Sequence, residues 1–371
     1  MRRIIITCLL LCLFTLSVYS EDNNKNSSIQ NAECSLDNVN KSNVDDLMQY
    51  SSGSTYSSQT PMGTHYENRH ITTDFDRIWL RTADNEPSIP SGLSNLHMEH
   101  FNVNLYPYGT PDPADINQHS IGDCDAIAVM ASMAYVHPGF VKSIIFKNNN
   151  GTFNVKMFDP QGKAVTVVVS SAFLTDSKGN IAATSGKNNV ATWATVLEKA
   201  IMKYEMIYQV NTDIGGMGSE HVTPLFTGNG NSFAFSPGKL TGDQLAFVVK
   251  YSLKHGRFIT GGFNKVVTIG KYSTVPGHGY TLMFSSTSQS LFAMRNPWGF
   301  NPGGNGGDDG VLNIPLSGDV INTIDIRIIY PGKAGNKCVI KPYISPSFTV
   351  NANNQRVDPS IINNSSTNKY Y

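Results

Sequence analysis

Charge is scarce in this sequence. Asp, Glu, Lys and Arg make up 15% of the 371 residues, and 28 basic side chains are balanced by 28 acidic ones. Without a basic excess there is no electrostatic footprint for a phosphate backbone or an anionic membrane, so nucleic-acid binding is excluded as a leading reading. Beyond the N-terminus no apolar run is long enough to cross a bilayer, and no repeat of solenoid length occurs. Motifs of several common chemistries are missing too. No Gly-Lys pair is followed by Ser or Thr, as a phosphate-binding loop requires, and there is no Gly-x-Ser-x-Gly elbow or His-Glu-x-x-His helix. His97-Met98-Glu99-His100 comes nearest to a metal pair, but without a third ligand nearby its histidines read as surface residues.

What is present describes a loop-rich globular protein: 40% apolar residues, 32 glycines and many Asn, Ser and Thr. At roughly 100 to 200 residues per domain the length suits two domains or one bilobed one. Met1-Arg2-Arg3, the apolar run Ile4 to Val18 and small residues up to Ser20 have the form of a signal peptide, with cleavage expected after Ser20 and export as the consequence. No transmembrane span is then expected in the mature chain. Cys8 and Cys12 would leave with the signal, so the mature chain would keep Cys34, Cys124 and Cys338. An odd cysteine in an oxidising compartment is either unpaired or used between chains. Cys34 and Cys338 lie in polar flanking segments and form the candidate pair, which leaves Cys124 free.

Residues 21–74 are dominated by Ser, Asn, Thr and Gln and read as a pro-segment or spacer that cannot support its own core; residues 346–371 read as a polar tail. Between them, 75–345 carries patterned sequence. Cys124 to Tyr135 reads as a buried helix ended by His137-Pro138, with a second short helix at Gly139 to Phe146. Phe153 to Phe158 and Val165 to Val169 read as a hairpin. Trp193, Val196, Leu197, Ala200, Ile201 and Tyr204 fall at helical spacing, with Glu198, Lys199 and Lys203 expected on the opposite, polar face. A further helix is expected from Gly242 to His255, followed by strands at 258–262, 279–285, 291–296, 311–314 and 324–330. Helices first and strands later indicate an α+β protein, with a helical lobe to about 235 and a β lobe from about 236.

Cys124 stands directly at the start of an apolar helix, where amide N–H groups and the macrodipole favour a nucleophilic thiolate. Position alone leaves a buried structural cysteine as an equal alternative. His278 opens one apolar strand and Asn296 closes the next, 154 and 172 residues downstream. A lone cysteine followed by His and then Asn is the order of papain-like nucleophilic sites. In that chemistry Cys124 attacks a carbonyl, His278 takes and returns the proton, Asn296 holds the imidazole, and Trp298 shields their hydrogen bond.

The segment from Asp115 to Cys124, Trp193 with Leu197-Glu198-Lys199-Ala200, Gly215-Gly216, Gly277-His278 and Asn296-Pro297-Trp298-Gly299 together resemble the protease core of the calpain family of cysteine peptidases, over about half of the chain. The resemblance implies a papain-like two-lobed fold, protein or peptide substrates, and hydrolysis through a thioester at Cys124. It assigns Gln118, six residues before the nucleophile, to the oxyanion. It also implies calcium bound by loops of the core, with no cofactor needed for the chemistry itself. Asp115 stands at the first such loop, though Gln209 replaces its acidic partner, and Asp308 and Asp309 stand at the second; an ordinary glycine-rich hairpin is the alternative there. Asp125 departs from the tryptophan the family carries after its nucleophile and keeps an inactive enzyme in play. The expected function is thus an exported cysteine endopeptidase. The alternatives are a transglutaminase-like acyltransferase and an inactive peptidase fold used as a secreted binding module. Nothing in the sequence fixes the oligomeric state.

Overall fold

The computed structural model describes residues 60–346 except positions 91, 212–213, 287–291, 304–308, 317, 338 and 340, together with short strands at 349–350 and 356–357. The signal peptide, Cys34, Cys338, Asp308 and nearly all of the polar tail lie outside the described residues.

In chain order the main elements are helix α1 (Asp74–Arg81), strand β1 (His97–His100), helices α2 (Cys124–Val136) and α3 (Pro138–Ile144), and strands β2 (Ile145–Lys147), β3 (Phe153–Phe158), β4 (Ala164–Val169) and β5 (Ala172–Thr175). Helices α4 (Trp193–Tyr208) and α5 (Ser219–Thr227), strand β6 (Ser232–Phe235) and helix α6 (Gly242–Lys254) follow. The chain then runs through β7 (Phe258–Phe263), β8 (Thr268–Ile269), β9 (Tyr272–Ser273), β10 (Tyr280–Phe284), β11 (Phe292–Arg295), β12 (Val311–Ile314), α7 (Asp319–Thr323) and β13 (Ile324–Ile329). The result is α+β, with every helix and strand named from the sequence present within a few residues of its expected bounds.

A six-stranded antiparallel sheet in the order β12-β11-β10-β7-β13-β6 carries most of the later strands. Its β6 edge precedes residue 235, so the sheet recruits chain from ahead of the expected lobe boundary. Helix α2 packs on β7 and β10 with one side and on α5 with another. That explains why Ala126 through Ala134 are apolar or small all round and buried almost without exception. Pro138 fills the first turn of α3, and with it α2 has to stop at Val136.

Three expectations change. The packed unit begins well before residue 75: Met62 and Tyr66 are 1% exposed, and Gly230 N–H donates to Pro61 O at 2.9 Å. The spacer reading therefore holds at most for the residues ahead of Thr60. Helix α4 is buried on every face, with Glu198 at 0%, Lys199 at 3% and Lys203 at 0% exposure. Its charges are solvated by protein groups instead of water. Finally, α1 and α5 were not legible: α1 is short, opened by a Thr73–Asp76 capping box, and α5 carries Pro224 inside it. His97 and His100 lie exposed on β1, as surface residues should.

Candidate active site

Cys124 is the first residue of α2 and is half-buried. The N–H of Gly279 points at its thiol. A side chain at position 279 would bring a Cβ to 2.8 Å from Asp125 Oδ1 and 3.0 Å from Asp125 Cα, so glycine is what lets the segment ahead of β10 lie against the first turn of α2. His278, the residue before it, is thereby carried beside the cysteine.

The antiparallel register of β10 and β11 pairs Thr281 with Arg295, and continuing it two residues past the strand end sets His278 across from Trp298. The rings are 4.5 Å apart between centroids, and Tyr280 meets the other side of the imidazole edge-on at 5.1 Å. His278 Nε2 lies 2.9 Å from Asn296 Oδ1, and that oxygen also accepts from Trp298 N–H at 3.0 Å. The backbone donor fixes which end of the amide is oxygen, so Nε2 carries the imidazole proton and Nδ1 keeps its lone pair. Asn296 itself is fully buried, held by its own N–H to Gly310 O at 2.8 Å. At Gly299, with φ at +75°, a side chain would overlap Asn117, so the turn beyond Trp298 can close only on glycine.

Electrostatics favour a neutral resting pair. Burial pushes the Cys124 thiol up, and the Asp125 and Asp123 carboxylates push it further, against the pull of the Gly279 amide. Burial pulls His278 down, against Asn296 and Asp125. The helix start was expected to favour the thiolate; burial outweighs it here. Asp125, held by Ser219 Oγ at 3.0 Å, does act on the thiol in the direction its charge requires.

Gln118 is buried beside this site, with its backbone N–H donating to Pro297 O at 2.8 Å. Its side-chain nitrogen donates to Ile121 O at 2.8 Å and to Asp123 Oδ1 at 3.2 Å, so both amide hydrogens have partners. Asp115 faces inward at 1% exposure: Oδ2 accepts from Trp193 Nε1 at 2.7 Å and from Asp112 N at 2.9 Å, and burial pushes the carboxyl up to about 8. Arg295, fully buried, acts on Asp115, Asp112 and Asp309 together. A guanidinium among these acids opposes a second cation, so Asp115 does not fit a calcium ligand. Asp309 caps the start of β12 by accepting from Val311 N at 3.2 Å. Among the described residues no cluster of three or more metal-ligating side chains exists.

Arg295 was not singled out from the sequence, although it ties the site together. Its Nη2 donates to Ile116 O at 2.6 Å, and so the strand that delivers Asn296 is clamped to the loop that delivers Gln118. An arginine in an otherwise apolar strand, Phe292-Ala293-Met294-Arg295, was the available signal.

Comparison with known proteins places the sequence. Over 205 residues, 51% of the chain, the sequence is 29% identical to the calpain-type cysteine protease ADL1 of Oryza sativa subsp. japonica and 28% identical to the calpain-type cysteine protease DEK1 of Zea mays. The matched part amounts to 9% of the length of each of these relatives. The model of the calpain family cysteine protease domain matches residues 79–306, a span that takes in Cys124, His278 and Asn296 and exceeds half of the sequence. With that extent of match, the chain belongs to the calpain family of cysteine proteases.

Proposed function

We propose that the protein is an exported cysteine endopeptidase with a papain-like two-lobed core, in which Cys124 is the nucleophile. The observation that carries this reading is the His278–Asn296 hydrogen bond of 2.9 Å, which leaves Nδ1 as the proton acceptor beside a cysteine at a helix start. Nδ1 takes the thiol proton as Sγ bonds to the scissile carbonyl carbon, and the imidazolium returns it to the leaving amine. Water, deprotonated by the same nitrogen, then hydrolyses the thioester. Asn296 keeps the ring in the useful tautomer and Trp298 covers the bond between them. The Cys124 backbone N–H and the Gln118 amide receive the oxyanion, for which Gln118 turns to it the hydrogen that now goes to Ile121 O and keeps its bond to Asp123.

Export rests on the Met1 to Ser20 pattern, and removal of a leader segment on the composition of the residues before Thr60. Calcium, if it tunes the core, does so at Asp308 and Asp309 and not through Asp115. Chelation should then lower hydrolysis without abolishing it, while full activity and an unshifted melting temperature in excess chelator would remove the ion from the account.

The deciding experiment is Cys124→Ala, which removes the nucleophile and little volume. Purified variant should fold, release no peptides from casein and incorporate no amine. Wild-type turnover in that variant would end the proposal. A second reading, an inactive fold used for binding, is favoured by the burial and carboxylates that hold the thiol protonated. Failure of wild-type Cys124 to react with a thiol-directed peptide probe would select it.

A further inference from the structure

Helix α4 brings a glutamate into the interior with no cation to meet it. Lys199 Nζ, one residue on, is 2.6 Å from Glu86 Oε2 and donates to Ser170 Oγ and Ala172 O. Lys203 Nζ donates to the carbonyls of Leu80, Thr82 and Val168. Glu198 instead faces a second acid, Asp123.

Both carboxyls are sealed from solvent, at 0% exposure for Glu198 and 1% for Asp123. One oxygen of each has an outside donor: Glu198 Oε2 accepts from Thr184 N at 2.6 Å, and Asp123 Oδ1 from Gln118 Nε2 at 3.2 Å. The other oxygens, Glu198 Oε1 and Asp123 Oδ2, are buried and have no hydrogen-bond partner among the described residues. Asp123 is also the N-cap residue of α2, yet its side chain makes no capping bond to the helix. Aspartate at that position ordinarily accepts from the N–H of the second or third helical residue, and here it is turned away to face Glu198. Two carboxylates in contact in a dry interior cannot both stay ionised, and one proton between them satisfies both orphan oxygens at once.

Resting on the peptidase reading above, we propose that Glu198 and Asp123 share one proton between Oε1 and Oδ2, and that this acid pair is a positioning device for Gln118 and the Cys124 end of α2. Glu198 is the neutral donor and Asp123 the anion that holds the Gln118 amide. Besides each other, the groups facing the pair are the neutral donors Gln118 and Thr184, together with the Cys124 thiol, which the Asp123 charge pushes up. Burial raises both carboxyls, so the pair keeps a proton above the ordinary carboxylate range. On the alkaline side the proton leaves, two anions face each other, and the loop carrying Gln118 loses its anchor.

The test has two arms on the full-length protein. In a Cys124→Ala background, which needs no hydrolysis, the infrared difference between Glu198 and Glu198→Gln near pH 6, above the ordinary carboxylate range, should show the loss of one protonated-carboxyl band. No lost band overturns the proposal, whether or not the protein is a peptidase. With Cys124 present, Glu198→Gln keeps a donor for Asp123 and an acceptor for Thr184, so it should retain turnover and extend the alkaline limit of kcat. Glu198→Ala should lower kcat by about tenfold or more with little change in KM. Equal losses in the two variants, an unmoved alkaline limb, or failure of the Gln variant to fold would each overturn the pair, because the amide is a neutral stand-in for the protonated acid. A wild-type protein that hydrolyses nothing sinks the peptidase reading and leaves the infrared arm to decide the pair.

Discussion

At the scale of single residues, Asp125 follows Cys124 directly and brings a carboxylate to the site. Its carboxylate lies against Gly279 and raises both the thiol and the imidazole. Asp125→Asn keeps the shape and the Ser219 contact but removes the charge, so both midpoints should fall. The pH at which iodoacetamide alkylation of Cys124 becomes fast should therefore move down; an unmoved profile would show that burial alone sets the thiol. Asn296→Ala tests the orienting bond. It should reduce kcat on the order of 100-fold by freeing the imidazole to rotate. It should also cost about 1–3 kcal/mol in melting experiments, since Trp298 N–H loses its buried acceptor.

Elements decide which residues meet, and here the sequence was readable in part. The helix that starts at Cys124, the β3–β4 hairpin, α4 and the strands next to His278 and Asn296 all followed from apolar period and turn residues. The order Cys, His, Asn named the candidate residues, of which His278 and Asn296 are joined by a hydrogen bond. What stayed hidden was pairing across elements. Nothing in the periodicity of α4 says that its charged residues are buried, because their partners, Glu86, Ser170 and Asp123, come from three distant segments. For the same reason Gln118 was legible as a donor but its engagement by Ile121 O and Asp123 was not. Arg295 is the clearest instance, since its role depends on Ile116, which it reaches across 179 positions of sequence. Arg295→Met should cost about 3–5 kcal/mol by urea unfolding, because it strips a buried cation from Asp112, Asp115 and Asp309. A loss of a few tenths would mean that the guanidinium is not needed to balance those acids.

For the molecule as a whole, the buried ionisable groups set an unusual pH dependence. Burial raises Asp115 to about 8, so its stabilising contribution is complete below the ordinary carboxylate range and is lost as pH climbs to that value. Burial depresses His65, His137 and His221 to about 4, so theirs is complete above about 6.5 and is lost as pH falls toward 4. The two trends oppose each other in acid. Above about 6.5 the carboxyl loss continues alone until Lys203, which burial lowers to about 8, begins to oppose it, so the melting temperature of Cys124→Ala should decline between about pH 6.5 and 7.5, and Asp115→Asn should flatten the decline. A rise across that interval would show that the carboxyls ionise freely. The bond from Gln118 N–H to Pro297 O adds a different kind of report. It joins the loop leading into the cysteine helix to the turn after the asparagine strand, so that amide can trade its hydrogen for deuterium only when the two segments part. Its exchange rate is a built-in clock of that parting, slow at rest and faster under any condition that draws the segments apart, readable in the whole chain without substrate or label.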